Sequence, residues 1–208
     1  MIVTPADIPT NLENEIRSSC RRGDTSAAAA ILIRGYGPEI MGFLATRLGD
    51  DQGAEEAFAV FSEDIVRGLP EFEWRASART WSYVVARNAA NKFAGERRQR
   101  HDTSLEGSAK HAVDEAATPI RTNTVPYLRT GVKDQYRVLR EQLSTEDRTL
   151  LILRMDRDLS WRSVTTILSD AGESTAEADL FREEARLRKR LELIKNQLRR
   201  LAEQQGLI

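Results

Sequence analysis

The apolar residues of this chain recur at the spacing of a helix face, and that periodicity restricts it to an all-helical fold. Ala54, Ala57, Phe58, Phe61 and Ile65 make one such face, between a Gly49-Asp50-Asp51 turn and Gly68. Ile40, Phe43, Leu44 and Leu48 make another. Leu187, Leu191, Ile194, Leu198 and Leu201 step by fours and threes. Aromatics are only 6% of the 208 residues, and alanine, leucine, arginine and glutamate dominate. Straight-chain residues lose little rotamer freedom in a helix, so this balance favours helices over sheets. A hydrophobic content of 40% is enough for one large domain or two small ones.

Breakers and caps divide the chain. Residues 1–11, with Pro5 and Pro9, read as a loose leader, and 12–22 begin a helix that Gly23-Asp24 breaks. A helical stretch over 25–47 holds Gly35, Gly37 and Pro38, which predicts two helices meeting near residues 36–38. Asp50 or Asp51 caps the next helix, and Glu55 and Glu56 suit its positive end. A loop over 69–77 then leads to a basic helix over 78–100. Residues 101–124 are rich in Ser, Thr, Asp, Glu and Ala and carry no apolar period, which reads as a linker. Helical patterning resumes near Val132. Ser144, with an acid three positions on, makes a loose capping box, and Asp158 and Ser160 start a short helix with Val164, Ile167 and Leu168 on one side. A turn over 170–173 precedes a last helix that begins at Ala176 or Leu180 and ends near Gln204. The expected organisation is a leader and short helix over 1–24, a helical domain over 25–100, a linker over 101–131 and a second helical domain over 132–208.

Charge gives the first functional signal. The net charge is −1, but residues 79–100 hold 6 bases against 1 acid and 186–200 hold 7 against 1, while 12–78 carry a net −5. Concentrated basic segments attract phosphates whatever the whole-chain charge. In the first segment Arg79, Arg87, Asn88, Asn91, Lys92, Arg97 and Arg98 offer cations and amides, and Trp81, Val84, Val85, Ala89 and Phe93 are expected to pack inward. Phe72, Trp74, Trp81 and Tyr83 are candidates for stacking on unpaired bases. The other reading is a solvated basic helix whose aromatics are core. In the second segment a short helix, a turn with Gly172 and a longer basic helix suggest a helix-turn-helix presenting Arg186, Arg188, Lys189 and Arg190. The same apolar steps also suit a short coiled-coil seam.

Other chemistry is not supported. His101 and His111 have no cysteine near them, there is no Walker-type glycine loop, and no catalytic constellation, metal site or cofactor motif is visible. Cys20 is the single cysteine, so no internal disulfide is possible and a reducing cytoplasm is expected. No secretory signal and no run of 18 apolar residues is present, so no membrane insertion is expected.

Taken in order, Ala54-Glu55-Glu56-Ala57-Phe58, the Arg67-Gly68-Leu69-Pro70 loop and Arg79-Thr80-Trp81-Ser82-Tyr83-Val84-Val85-Ala86-Arg87-Asn88 resemble region 2 of bacterial RNA polymerase sigma factors of the extracytoplasmic-function (ECF) type. Residues 135–203 resemble region 4 more weakly. The resemblance implies a sigma region 2-like bundle and a region 4-like helix-turn-helix joined by a flexible linker. It implies that residues 52–67 dock on the clamp helices of the polymerase large subunit, which makes Glu55, Glu56, Phe58, Ala59, Ser62 and Glu63 candidate polymerase-binding residues. It implies capture of the melted −10 element by Phe72, Trp74, Arg79, Trp81, Arg87, Asn88, Asn91, Lys92, Arg97 and Arg98. The last helix would read the −35 element with Arg186, Arg188, Lys189 and Arg190 and touch the polymerase flap. Core RNA polymerase, promoter DNA and an anti-sigma factor are the implied partners, and no catalysis is implied. Departures are Ala59 where the family commonly has glutamine, Ser163-Val164-Thr165 where it has Glu-Ile-Ala, and extra residues over 173–182. Two other classes stand beside this one: a stand-alone two-domain DNA-binding regulator, and a helical enzyme or scaffold.

Overall fold

The computed structural model describes residues 9–100, 138–169 and 177–207, with the side chains of 9, 10 and 96–100 left aside. The expected linker, the start of helical patterning near Val132 and the turn over 170–173 lie outside the described residues. No strand occurs among those described. The chain divides into two compact units, Met1–Tyr127 and Leu128–Ile208.

The first unit is a bundle of α1 (Pro9–Arg21), α2 (Thr25–Leu48), α3 (Asp51–Gly68) and α4 (Ala78–Arg100), with a 3-10 turn at Leu69–Glu71. Helix α1 starts inside the segment expected to be a leader: its first residue is Pro9, which suits a first helical position because the missing N–H would have no helical partner there. Asp24 caps α2 by accepting from the Ala27 N–H at 3.0 Å. Gly49, at φ 66°, ends that helix.

Helix α2 differs from expectation. It runs unbroken for 24 residues with Pro38 inside it. Packing explains this. Leu32, Ile33, Tyr36, Ile40, Met41, Phe43 and Leu44 are buried along its length, each worth roughly 1.5–3 kcal/mol, and together they outweigh the hydrogen bond that Pro38 lacks. Gly35 is a contact rather than a break: a Cβ there would run into the Leu12 side chain, so glycine lets α1 close on α2.

The inner face of α3 is the expected one, with Ala54, Ala57, Phe58, Phe61 and Ile65 at most 1% exposed. Asp50 is its N-cap residue, although its side chain makes no capping bond. From α4, Tyr83, Val85, Ala86, Ala89 and Ala90 are buried, and Tyr83 meets Phe43 edge to face at 5.2 Å. Val84 and Phe93 are half-buried.

The second unit holds α5 (Thr145–Leu151), continued by a π turn at Ile152–Asp156, then α6 (Trp161–Leu168) and α7 (Glu177–Gln204). Ser144 caps α5 and Ser160 caps α6, each hydroxyl accepting a backbone N–H at 3.1 Å. Leu150, Leu151, Leu153, Val164, Ile167, Leu187, Leu191 and Ile194 form the core, while Leu168, Leu198 and Leu201 are half-buried. The leucine steps of α7 therefore pack against its own unit.

Candidate nucleic-acid interface

The start of α4 is built from three places in the chain. A helix N-terminus leaves backbone N–H groups without helical partners. Here Ser77 Oγ accepts from the Thr80 N–H at 3.0 Å, and the Glu13 carboxylate accepts from the Ala78 and Arg79 N–H groups at 2.9 Å each. Glu13 also accepts from the Tyr36 hydroxyl at 2.9 Å. One carboxylate of α1 thus joins α2 to the positive end of α4. Burial, then the Glu13 charge, holds the Tyr36 phenol above its ordinary range.

Around this start lies an aromatic cluster. Phe72 stacks on Trp81 with ring centres 4.6 Å apart and planes 18° off parallel, and it meets Trp74 at 4.8 Å. All three rings are half-buried. The Trp81 indole lies over Gly68, where an added Cβ would meet it at 3.2 Å, so glycine at the end of α3 permits the close approach. Trp74 has φ 60°, a left-handed conformation that is strained for a bulky residue. Tyr83, the fourth aromatic considered for stacking, is fully buried and is core.

The basic residues of α4 separate into different roles. The Arg79 guanidinium is bound by Glu39 through two 2.9 Å hydrogen bonds and is about one-fifth exposed; that bond is the first reason its pKa is raised. Asn91 accepts from Arg47 at 2.8 Å. Asn88 and Lys92 are exposed, and Arg87 is half-buried. Arg97 and Arg98 are helical, but their side chains lie outside those described.

On α3, the candidate partner-facing residues fall on two sides. Glu55, Glu56 and Glu63 are exposed and Ala59 is half-buried. Phe58 and Ser62 are at 0% exposure, and Ser62 donates to the Phe58 carbonyl, so both belong to the core.

In the second unit Arg186, Arg188 and Lys189 are exposed on α7. Arg186 pairs with Glu183, and Arg188 pairs with Glu184 while its guanidinium lies 5.1 Å from the Trp161 ring centre. Arg154 approaches the same ring at 5.5 Å. Arg190 is bound to Asp147 of α5, the bond that raises its pKa, and so ties two helices together. Sequence reasoning missed Glu13, Arg17 and Glu39, and it read Asp147 only as the capping-box acid and not as the partner of Arg190; these partners are up to 66 residues away in sequence.

No group of three or more His, Cys, Asp or Glu among the described residues is placed to hold a metal ion. Burial pushes the Cys20 thiol up, away from the reactive thiolate. Among the described residues no helix is long and apolar enough to cross a membrane.

Comparison with known proteins falls on this same region. Residues 32–100 match the sigma-70 region 2 family. The RNA polymerase sigma-H factor of Pseudomonas aeruginosa is 24% identical over 159 residues, which cover 75% of this chain and 82% of that protein. The helices that carry the aromatic cluster and the basic face lie within the segment that matches sigma-70 region 2, and most of the chain is similar to a sigma factor.

Proposed function

We propose that the chain is a sigma factor of the ECF type that joins core RNA polymerase in the cytoplasm, captures the melted −10 element with its first unit and reads the −35 element with its second. The observation that carries this reading is the half-buried cluster of Phe72, Trp74 and Trp81 at the start of a basic helix, within the segment matched to region 2. An unpaired base needs an aromatic surface, and its backbone needs cations nearby. In this reading the rings take the base, and Asn88, Lys92 and Arg87 face the strand, with Arg97 and Arg98 further along α4. Arg79, bound to Glu39, positions α4 rather than meeting phosphate, and Asn91 is held by Arg47.

Glu55, Glu56, Glu63 and the edge of Ala59 form the polymerase-facing surface, with Phe58 and Ser62 supporting it from the core. On α7, Lys189, Arg186 and Arg188 face the −35 duplex, and Arg190 fixes the helix through Asp147. An anti-sigma factor covering these surfaces is the third partner proposed. Reconstitution with core polymerase on genomic fragments should give promoter-specific transcripts. Absence of both transcripts and core binding overturns the reading. Charge reversal at Glu55 and Glu56 separates it from a stand-alone regulator: core affinity should fall while duplex binding persists.

A further inference from the structure

Arg17 lies on α1, upstream of the residues matched to region 2, and its guanidinium carbon sits 4.7 Å from the Trp74 ring centre. Its side chain is exposed, and among the described residues it forms no ion pair. The two arginines nearest the aromatic cluster in sequence are each met by a carboxylate: Arg75 by Glu73 and Arg79 by Glu39.

The reason Arg17 has no such partner is on the same helix. A glutamate four residues before an arginine normally lies beside it on the helix surface and pairs with it. That residue is Glu13, and both of its oxygens are taken by the Tyr36 hydroxyl and the first N–H groups of α4. Binding Glu13 there also fixes α1 against the start of α4. Arg17, one helical turn further on, is thereby brought over Trp74. The result is a cation held on the Trp74 face, open to solvent and, among the described residues, without an ion-pair partner, at the edge of the three-ring cluster. A guanidinium laid on a ring is weakly hydrated and already ordered, which favours capture of an oxyanion.

We propose that Arg17 contacts nucleic acid, holding a phosphate of the single strand whose base stacks on the Phe72, Trp74 and Trp81 cluster. This rests on the reading of that cluster as the −10 surface and adds to it a residue from outside the matched region.

The test uses full-length chain reconstituted with core polymerase. Its probe is a fluorescent single-stranded oligonucleotide from a randomised pool enriched on the wild-type holoenzyme, titrated over a series of salt concentrations. Arg17→Ala should lower the slope of log affinity against log salt by about 0.7, the value for one phosphate on a single strand. Arg17→Lys should keep most of the slope, and Arg17→Glu should bind more weakly than Arg17→Ala. An unchanged slope in Arg17→Ala overturns the proposal. So does a loss accompanied by a lowered melting temperature that lysine does not restore, which would make Arg17 a prop for Trp74. Failure of the underlying reading looks different: the wild-type holoenzyme enriches no sequence, and Phe72→Ala binds as well as wild type.

Discussion

Glu13 ties three helices of the first unit together, α1, α2 and α4. It accepts two backbone N–H bonds and one hydroxyl bond, and it places a negative charge at the positive end of a 23-residue helix. Bonds to a charged acceptor are worth roughly 1.5–3 kcal/mol each, and losing them together leaves donors without partners. Glu13→Ala should therefore lower the stability of the first unit by about 2–3 kcal/mol in urea unfolding; a cost under about 0.5 kcal/mol, the range of an ordinary surface change, would contradict this role. Tyr36 adds a pH dependence. Its folded pKa lies above the ordinary tyrosine value of 10.0, so above that pH the unfolded chain has lost the proton while the folded one keeps it. Stability should fall as pH rises past that value. Comparing Tyr36→Phe with wild type checks this: the phenylalanine variant should show a shallower alkaline decline.

At the scale of elements, α2 shows tertiary packing overriding a local breaker. Pro38 is exposed and removes one backbone donor from the middle of the helix. Pro38→Ala should restore that bond to the Arg34 carbonyl and raise the melting temperature, by an amount equivalent to about 1–2 kcal/mol, less than the full helix-propensity difference because the bundle already accommodates the proline. A lower melting temperature would mean that the proline ring itself is needed for packing. Helix α7 offers a separation of roles on adjacent residues. Arg190 bridges to Asp147, while Lys189 is exposed. Arg190→Ala should destabilise the second unit, and Lys189→Ala should leave its melting unchanged while weakening duplex binding and reducing the salt slope by about 0.9. The reverse pattern would reassign both residues. The ion pairs along α7, Arg186 with Glu183 and Lys195 with Glu192, are exposed and add little stability. Their effect is to lower the positive potential of a segment whose base count alone suggests a stronger one.

For the whole molecule, the two compact units each have a core of their own. The first gathers Phe43, Phe58, Phe61 and Tyr83, and the second gathers Leu150, Leu153, Val164 and Leu191. A fragment of residues 1–127 should therefore unfold cooperatively by itself, at a temperature close to that of the matching transition in the full chain. A non-cooperative melt of the fragment would show that the second unit is required for the first to fold.

Helical period, turn residues and charge clustering were enough to define an all-helical chain, to place α4 over Ala78–Arg100, to find the inner face of α3 and to mark Ser144 and Ser160 as caps. These follow from the sequence by itself because each depends on residues within a few positions of one another. The same local signals misjudged Pro9 and Pro38, whose effect depends on what packs beside them. They also grouped Arg79 with Lys92 and Arg190 with Lys189, since residues of like charge on one helix look alike until their neighbours are known. Only the tertiary structure decided which cations are bound by Glu39 and Asp147, that Tyr83 is core while Trp81 is half-open, and that Glu13 and Arg17 of α1 belong to the face made by α4. A carboxylate acts on the charges within a few ångströms of it, and the fold, not the order of residues, determines which those are.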